Sequence, residues 1–94
     1  MAEMSRVGSN ISLLGKLTVD TVSGLYHQAP TLGKGDFKMN LAGVEEMDSA
    51  GLALLVHWQQ QALKQDSRLH LVDAPEQIST MIRISNLEAL LEQG

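Results

Sequence analysis

Hydrophobic and polar positions alternate through Phe37-Lys38-Met39-Asn40-Leu41, and past an acidic, small-residue corner they give way to the apolar run Leu52-Ala53-Leu54-Leu55-Val56. The first pattern has the period of a strand, the second the content of a helix. Asp36–Val44 is therefore predicted to be a central strand, with Phe37, Met39 and Leu41 on one face and Lys38, Asn40 and Ala42 on the other. It feeds a helix through Asp48-Ser49. Before it, Met4–Val7 is weakly extended, Gly8-Ser9-Asn10 supplies turn chemistry, and Ile11–Leu17 is an apolar-rich strand candidate, so the first two strands should form a hairpin. Thr18 can cap a helix carrying Val19, Val22, Leu25 and Tyr26; Gly24 weakens that helix and Pro30 ends it. After the long helix, Gln65-Asp66-Ser67 closes without the usual glycine, and Arg68–Val72 alternates as a further strand. Pro75 suits the first turn of a helix with Ile78, Met81 and Ile82 as its apolar stripe. Ser85-Asn86 ends it, and Leu87, Leu90 and Leu91 are expected to form a last short helix. The order β-β-α-β-α-β-α describes a single α/β domain over residues 1–94, with helices layered on a sheet.

The corner has chemistry of its own. Asp48 and Ser49 are both favoured helix N-caps, while Ala50 and Gly51 leave the first turn almost bare. A hydroxyl at such a helix start lies where free amides and the positive dipole end tolerate a phosphate or an acidic group of a partner. Stepping about 100° per residue along the helix places Leu52, Leu55, Val56, Ala62 and Leu63 toward the sheet. Ser49, Ala53, His57, Gln60 and Lys64 run along one flank, and Leu54 and Trp58 mark the other. Both flanks hold more apolar surface than a solvated face needs, so either a partner covers part of the helix or Trp58 lies over the sheet edge. Gln59 falls near the middle of the buried side, where periodicity offers no reason for an amide.

Composition narrows the function by exclusion. The chain has 94 residues, a formal charge of −4 and no cysteine. Scattered basic residues on an acidic chain do not make a nucleic-acid surface, and thiolate metal sites are ruled out. No apolar run approaches the roughly 20 residues of a bilayer span, and the N-terminus does not read as a secretory signal, so a cytoplasmic location is expected. His27, His57 and His70 fall on separate elements without metal-ligand spacing. Ser49 and His57 are separated by roughly 12 Å along one helix and cannot act as nucleophile and base. Glu45 and Glu46 should point apart on an extended segment, which disfavours paired-carboxylate catalysis. The loop Thr31 to Gly35, with its Gly33-Lys34-Gly35, lacks P-loop spacing and precedes a strand. No enzyme and no cofactor are indicated.

The strand Phe37–Val44, the corner Met47-Asp48-Ser49-Ala50-Gly51-Leu52 and the following helix resemble a STAS domain, the module of anti-sigma factor antagonists and sulfate-transporter tails. The longer pattern from Asp48 through Trp58, Arg68–Val72 and Pro75 to Leu91 is similar to the MlaB-like branch, the small STAS subunits of bacterial phospholipid-transporting ABC complexes. The resemblance implies a mixed sheet of about four to five strands packed against helices. It also implies a non-catalytic adaptor, peripheral to the inner membrane, that docks on an MlaF-like ABC-transporter ATPase and helps maintain outer-membrane lipid asymmetry. Ser49 would take the hydroxyl position of that contact, with Asp48, Ala50 and Gly51 shaping its surroundings; Ala53, His57 and Gln60 join them from the helical wheel. In the anti-sigma antagonist branch the equivalent serine is phosphorylated by a partner serine kinase, and this chain keeps Ser49. The alternative is therefore a Ser49 phosphoswitch bound to a kinase or anti-sigma factor.

Overall fold

The computed structural model describes residues 2–26 and 33–91. Strands β1 (Ala2–Val7) and β2 (Asn10–Leu17) form an antiparallel hairpin, and β3 (Gly35–Met47) and β4 (Ser67–Val72) complete a four-stranded sheet in the order β1-β2-β3-β4. The β2–β3 and β3–β4 pairings are parallel. Parallel neighbours need crossover connections, and helices α1 (Val22–Tyr26) and α2 (Ser49–Lys64) lie in those two crossovers, while α3 (Glu76–Ile84) follows β4. The mixed α/β sheet expected from the sequence is present.

Burial shows which face the helices cover. Ile11, Leu13 and Leu17 of β2, Met39 and Leu41 of β3, and Leu69 and Leu71 of β4 are at most 1% exposed, whereas Lys16, Lys38 and Ala42 on the opposite side are open to solvent. One sheet face carries the core and the other faces solvent. In β3 the buried series Phe37, Met39, Leu41 continues to Val44 and Met47 with steps of three rather than two. Two irregularities in the β2–β3 register, at Ser12/Leu14 and Gly15/Lys16, absorb the extra residues. These bulges extend β3 three residues past its predicted end and place both Glu45 and Glu46 on the surface.

Other boundaries also differ in instructive ways. The helix expected from Thr18 begins only at Val22, and Val19 is 67% exposed. The Thr18 side chain is not its cap: the Thr18 carbonyl accepts from the Thr21 and Val22 amides, and the Thr21 hydroxyl donates to the Lys16 carbonyl. Pro30, the expected stop, lies outside the described residues. On α2 the buried arc runs from Leu54 through Gly51, Trp58, Ala62 and Leu55 to Leu52, and Leu63 falls beyond it at 43% exposure. Trp58 is 1% exposed within this core, which corrects its placement on an outer flank of the helix. Tyr26 of α1 packs against His57, with ring centroids 5.1 Å apart; α1 thus adds cover that a helical wheel drawn against the sheet alone does not include.

Both longer helices end without glycine. Asp66 adopts φ 58° after α2 and Asn86 adopts φ 57° after α3. After α3 the Asn86 amide donates to the Arg83 carbonyl and the Leu87 amide to the Ile82 carbonyl, which is the Schellman arrangement. After α2 the Asp66 amide donates to the Leu63 carbonyl, and the Ser67 hydroxyl takes the Ala62 carbonyl in place of the second amide. The last segment is a single turn, with the Leu90 and Leu91 amides donating to the Leu87 carbonyl, and not a further helix. Leu91 is nonetheless buried in the core.

Candidate functional site

The corner is fixed by Asp48. Its backbone amide extends the β2–β3 ladder by donating to the Leu17 carbonyl at 3.2 Å. Its Oδ1 accepts from the Ala50 and Gly51 amides at 2.9 and 3.1 Å, which caps α2. Its Oδ2 accepts from the Val19 amide at 3.0 Å, tying the turn after β2 to the start of α2. The Val19 amide foremost holds the carboxyl below the ordinary carboxylate range; partial burial opposes this, and the Gly51 and Ala50 amides add to it. Of the two cap candidates, Asp48 serves. The Ser49 hydroxyl is left exposed and without a hydrogen bond to any described residue.

Gly51 acts beneath the surface. A Cβ there would lie 2.2 Å from the Leu17 carbonyl oxygen and 2.6 Å from Met47 Cγ, so only glycine allows the first turn of α2 to rest on the end of β2. The residue is buried and shapes the site through the backbone path, while Ala50 is half-buried beside it.

Ser49, Ala53, His57 and Gln60 come together along one groove of about 440 Å³, whose remaining lining is Leu52, Val56, Ser85 and Leu87. The helical flank drawn from the sequence thus forms a continuous surface. Periodicity missed its opposite wall: Ser85 and Leu87 follow α3, and their approach to α2 depends on the Asn86 turn. A non-glycine residue capable of positive φ immediately after a helical stripe was the available signal. The helical wheel places Leu52 and Val56 on the sheet side, yet Val56 is only half-buried and forms groove floor.

The remaining polar candidates stay apart. His70 of β4 meets Asp36 at 3.1 Å on the surface, remote in register from the corner, and His27 lies outside the described residues. Among the described residues no group of three or more metal-ligating side chains occurs. Of the glycine-lysine loop, Gly33 to Gly35 are exposed and Gly35 opens β3 with φ 119°; the rest lies outside the described residues. No helix among the described residues is long and apolar enough to cross a membrane.

A four-stranded sheet with one face under helices and the other open, a capped helix start bearing an exposed hydroxyl, and a groove beside it define a two-layer α/β module. The chain belongs to the STAS domain family: the family described as "Mlab, STAS domain" matches residues 1–92. It is 30% identical over 84 residues to the intermembrane phospholipid transport system binding protein MlaB of Escherichia coli K12, covering 89% of this chain and 87% of that protein. The MlaB protein of Shigella flexneri matches to the same extent. Among solved structures, a Thermotoga maritima protein described as an anti-sigma factor antagonist superposes with a TM-score of 0.77 at 16% identity, over 97% of this chain and 83% of that one. The anti-sigma factor antagonist SpoIIAA in its unphosphorylated form gives a TM-score of 0.69 at 14% identity, over 89% and 83%.

Proposed function

We propose that this chain is a non-catalytic adaptor in a phospholipid-transport ABC complex of the Mla type, docking on the cytoplasmic MlaF-like ATPase subunit and supporting its assembly and activity. The similarity to MlaB over nearly the whole chain carries this reading. The geometry supports it. Because Asp48 satisfies the first-turn amides, Ser49 is free for contact at the mouth of an apolar groove, and Ala53, His57 and Gln60 continue the contact surface along α2. Such a subunit works in the cytoplasm, held at the inner membrane by its transporter partner, and contributes to outer-membrane lipid asymmetry without chemistry of its own. Binding of the purified ATPase subunit to wild type, measured by calorimetry, should be lost in Ser49→Asp. Equal binding by the two proteins would move the contact away from the corner, and no binding by wild type would end the adaptor reading.

The free hydroxyl of Ser49 favours a second reading, an antagonist of an anti-sigma factor switched by a serine kinase. Phosphate would add about −1.5 to −2 charge at Ser49. Asp48 already occupies the Ala50 and Gly51 amides, so the added charge meets a carboxylate rather than vacant donors. Incubation with a cognate anti-sigma kinase and ATP should then phosphorylate Ser49 and release the kinase; an unmodified Ser49 counts against the switch.

A further inference from the structure

The groove beside Ser49 extends well past the corner. Its floor is Leu52 and Val56, and on the helix Leu63 falls in nearly the same arc, leaving 43% of its surface exposed. From Leu52 to Leu63 this stripe covers three turns, roughly 17 Å at the α-helical rise. Leu87 walls the other side and is set in place from both directions. Its amide donates to the Ile82 carbonyl at 3.1 Å, and three residues on, the Leu90 carbonyl accepts from Gln59 Nε2 at 3.0 Å. The groove is preformed.

Its occupant can be read from what lines it. Every lining residue comes from α2 or from the turn after α3, and no strand edge borders the groove. A segment lying there finds no ladder of backbone donors and acceptors, so it must satisfy its own backbone, as a helix does. The chain carries a formal charge of −4, yet no carboxylate lines this groove. Lys64, one turn beyond Gln60 on the same flank, is exposed and has no ion-pair partner among the described residues. A groove with an apolar floor and an ammonium one turn beyond its lining complements an amphipathic helix that carries a carboxylate.

We infer that the groove receives one amphipathic helix of the ATPase subunit, about three turns long, with apolar side chains seated on Leu52, Val56, Leu63 and Leu87 and a carboxylate beside Lys64. This rests on the adaptor reading above and adds to it the kind of segment that docks and a second wall that holds it.

Calorimetric titration of the purified ATPase subunit into wild type, Lys64→Glu, Leu63→Ser, Leu87→Asp and Ser49→Asp tests it. Lys64→Glu should weaken binding about tenfold, and rising ionic strength should weaken wild type more than this variant. Leu87→Asp should cost roughly 30-fold or more, as expected of a central anchor. Leu63→Ser changes an exposed side chain, so its smaller loss is not a folding effect, and emission from the single buried Trp58 reports whether Leu87→Asp is folded. If Ser49→Asp abolishes binding while the folded Lys64, Leu63 and Leu87 variants bind as wild type does, the groove is not the seat and the adaptor reading stands alone. If wild type does not bind, both fall. A self-associated chain whose groove the ATPase cannot enter would also overturn the inference, and sedimentation would show it.

Discussion

Asp48 divides one carboxylate between two elements, and the division has a pH signature. Oδ1 serves the first turn of α2 and Oδ2 the turn after β2. Since these amides lower its pKa in the folded state, the ionised form contributes stability that is fully present above the unfolded value of about 3.9 and is lost as pH falls through the lower folded value. Asp48→Asn keeps one cap oxygen but no charge. Its urea midpoint should therefore lie below that of wild type at neutral pH, and the gap should close in strong acid. Ser49→Ala, which removes no hydrogen bond to a described residue, should leave the midpoint unchanged over the same range. A large loss in Ser49→Ala would mean that the hydroxyl and not Asp48 caps the helix. Separating the two adjacent side chains in this way assigns the cap's stability to Asp48 alone.

At the level of elements, the start of α2 is set by the close approach of Gly51 to β2. In Gly51→Ala the new methyl meets the Leu17 carbonyl oxygen, a backbone atom that cannot rotate away, so the helix must shift outward. The expected loss is about 1–3 kcal/mol by urea denaturation, toward the upper end of what overpacking costs. A neutral result would show that the first turn can lift off β2 freely. This element was the most legible in the sequence, because the alternation of β3, the capping pair and the bare first turn all agree on where strand becomes helix. Legibility declined where tertiary packing decides. Val19 kept helical spacing with Val22 but belongs to a turn held by Thr18, Thr21 and Asp48, a contact 29 residues distant in sequence that no local pattern encodes. The helical wheel puts Leu63 in the core and Leu54 at its margin, the reverse of their burial, because a wheel drawn against one sheet does not include α1. The bulges of β3 were likewise hidden, since two steps of three residues resemble the end of a strand. The groove's near wall was readable from α2, and its far wall was not, because Leu87 reaches it only through the left-handed turn at Asn86.

Across the molecule, one buried amide joins parts that the chain order keeps apart. Gln59 Nε2 donates to the Leu69 carbonyl at 2.8 Å and to the Leu90 carbonyl, and Gln59 Oε1 accepts from the Leu69 amide at 2.9 Å. Helix α2, strand β4 and the C-terminal turn are thereby linked by a side chain with no exposed surface. Gln59→Leu would preserve volume and leave two buried backbone groups of Leu69 and the part-buried Leu90 carbonyl without this partner. At about 1–3 kcal/mol for each such group, partly relieved by water, the expected loss is about 3 kcal/mol. Hydrogen exchange at the Leu69 amide should accelerate along with it. An unchanged Leu69 amide would show that another donor or acceptor replaces the side chain.

The same contact bears on how the protein behaves in a crowded solution. β4 is the last strand of the sheet, and both polar backbone groups of Leu69 turn outward, away from β3. An outer strand with open groups is a template on which another chain can add a strand. Gln59 presents to Leu69 the same acceptor and donor that a neighbouring peptide unit would present, so at this residue the side chain stands in for a fifth strand and closes the sheet to strangers. Removing it would uncover a pairing edge, and concentrated Gln59→Leu protein would aggregate through that edge while most of its fold was still intact.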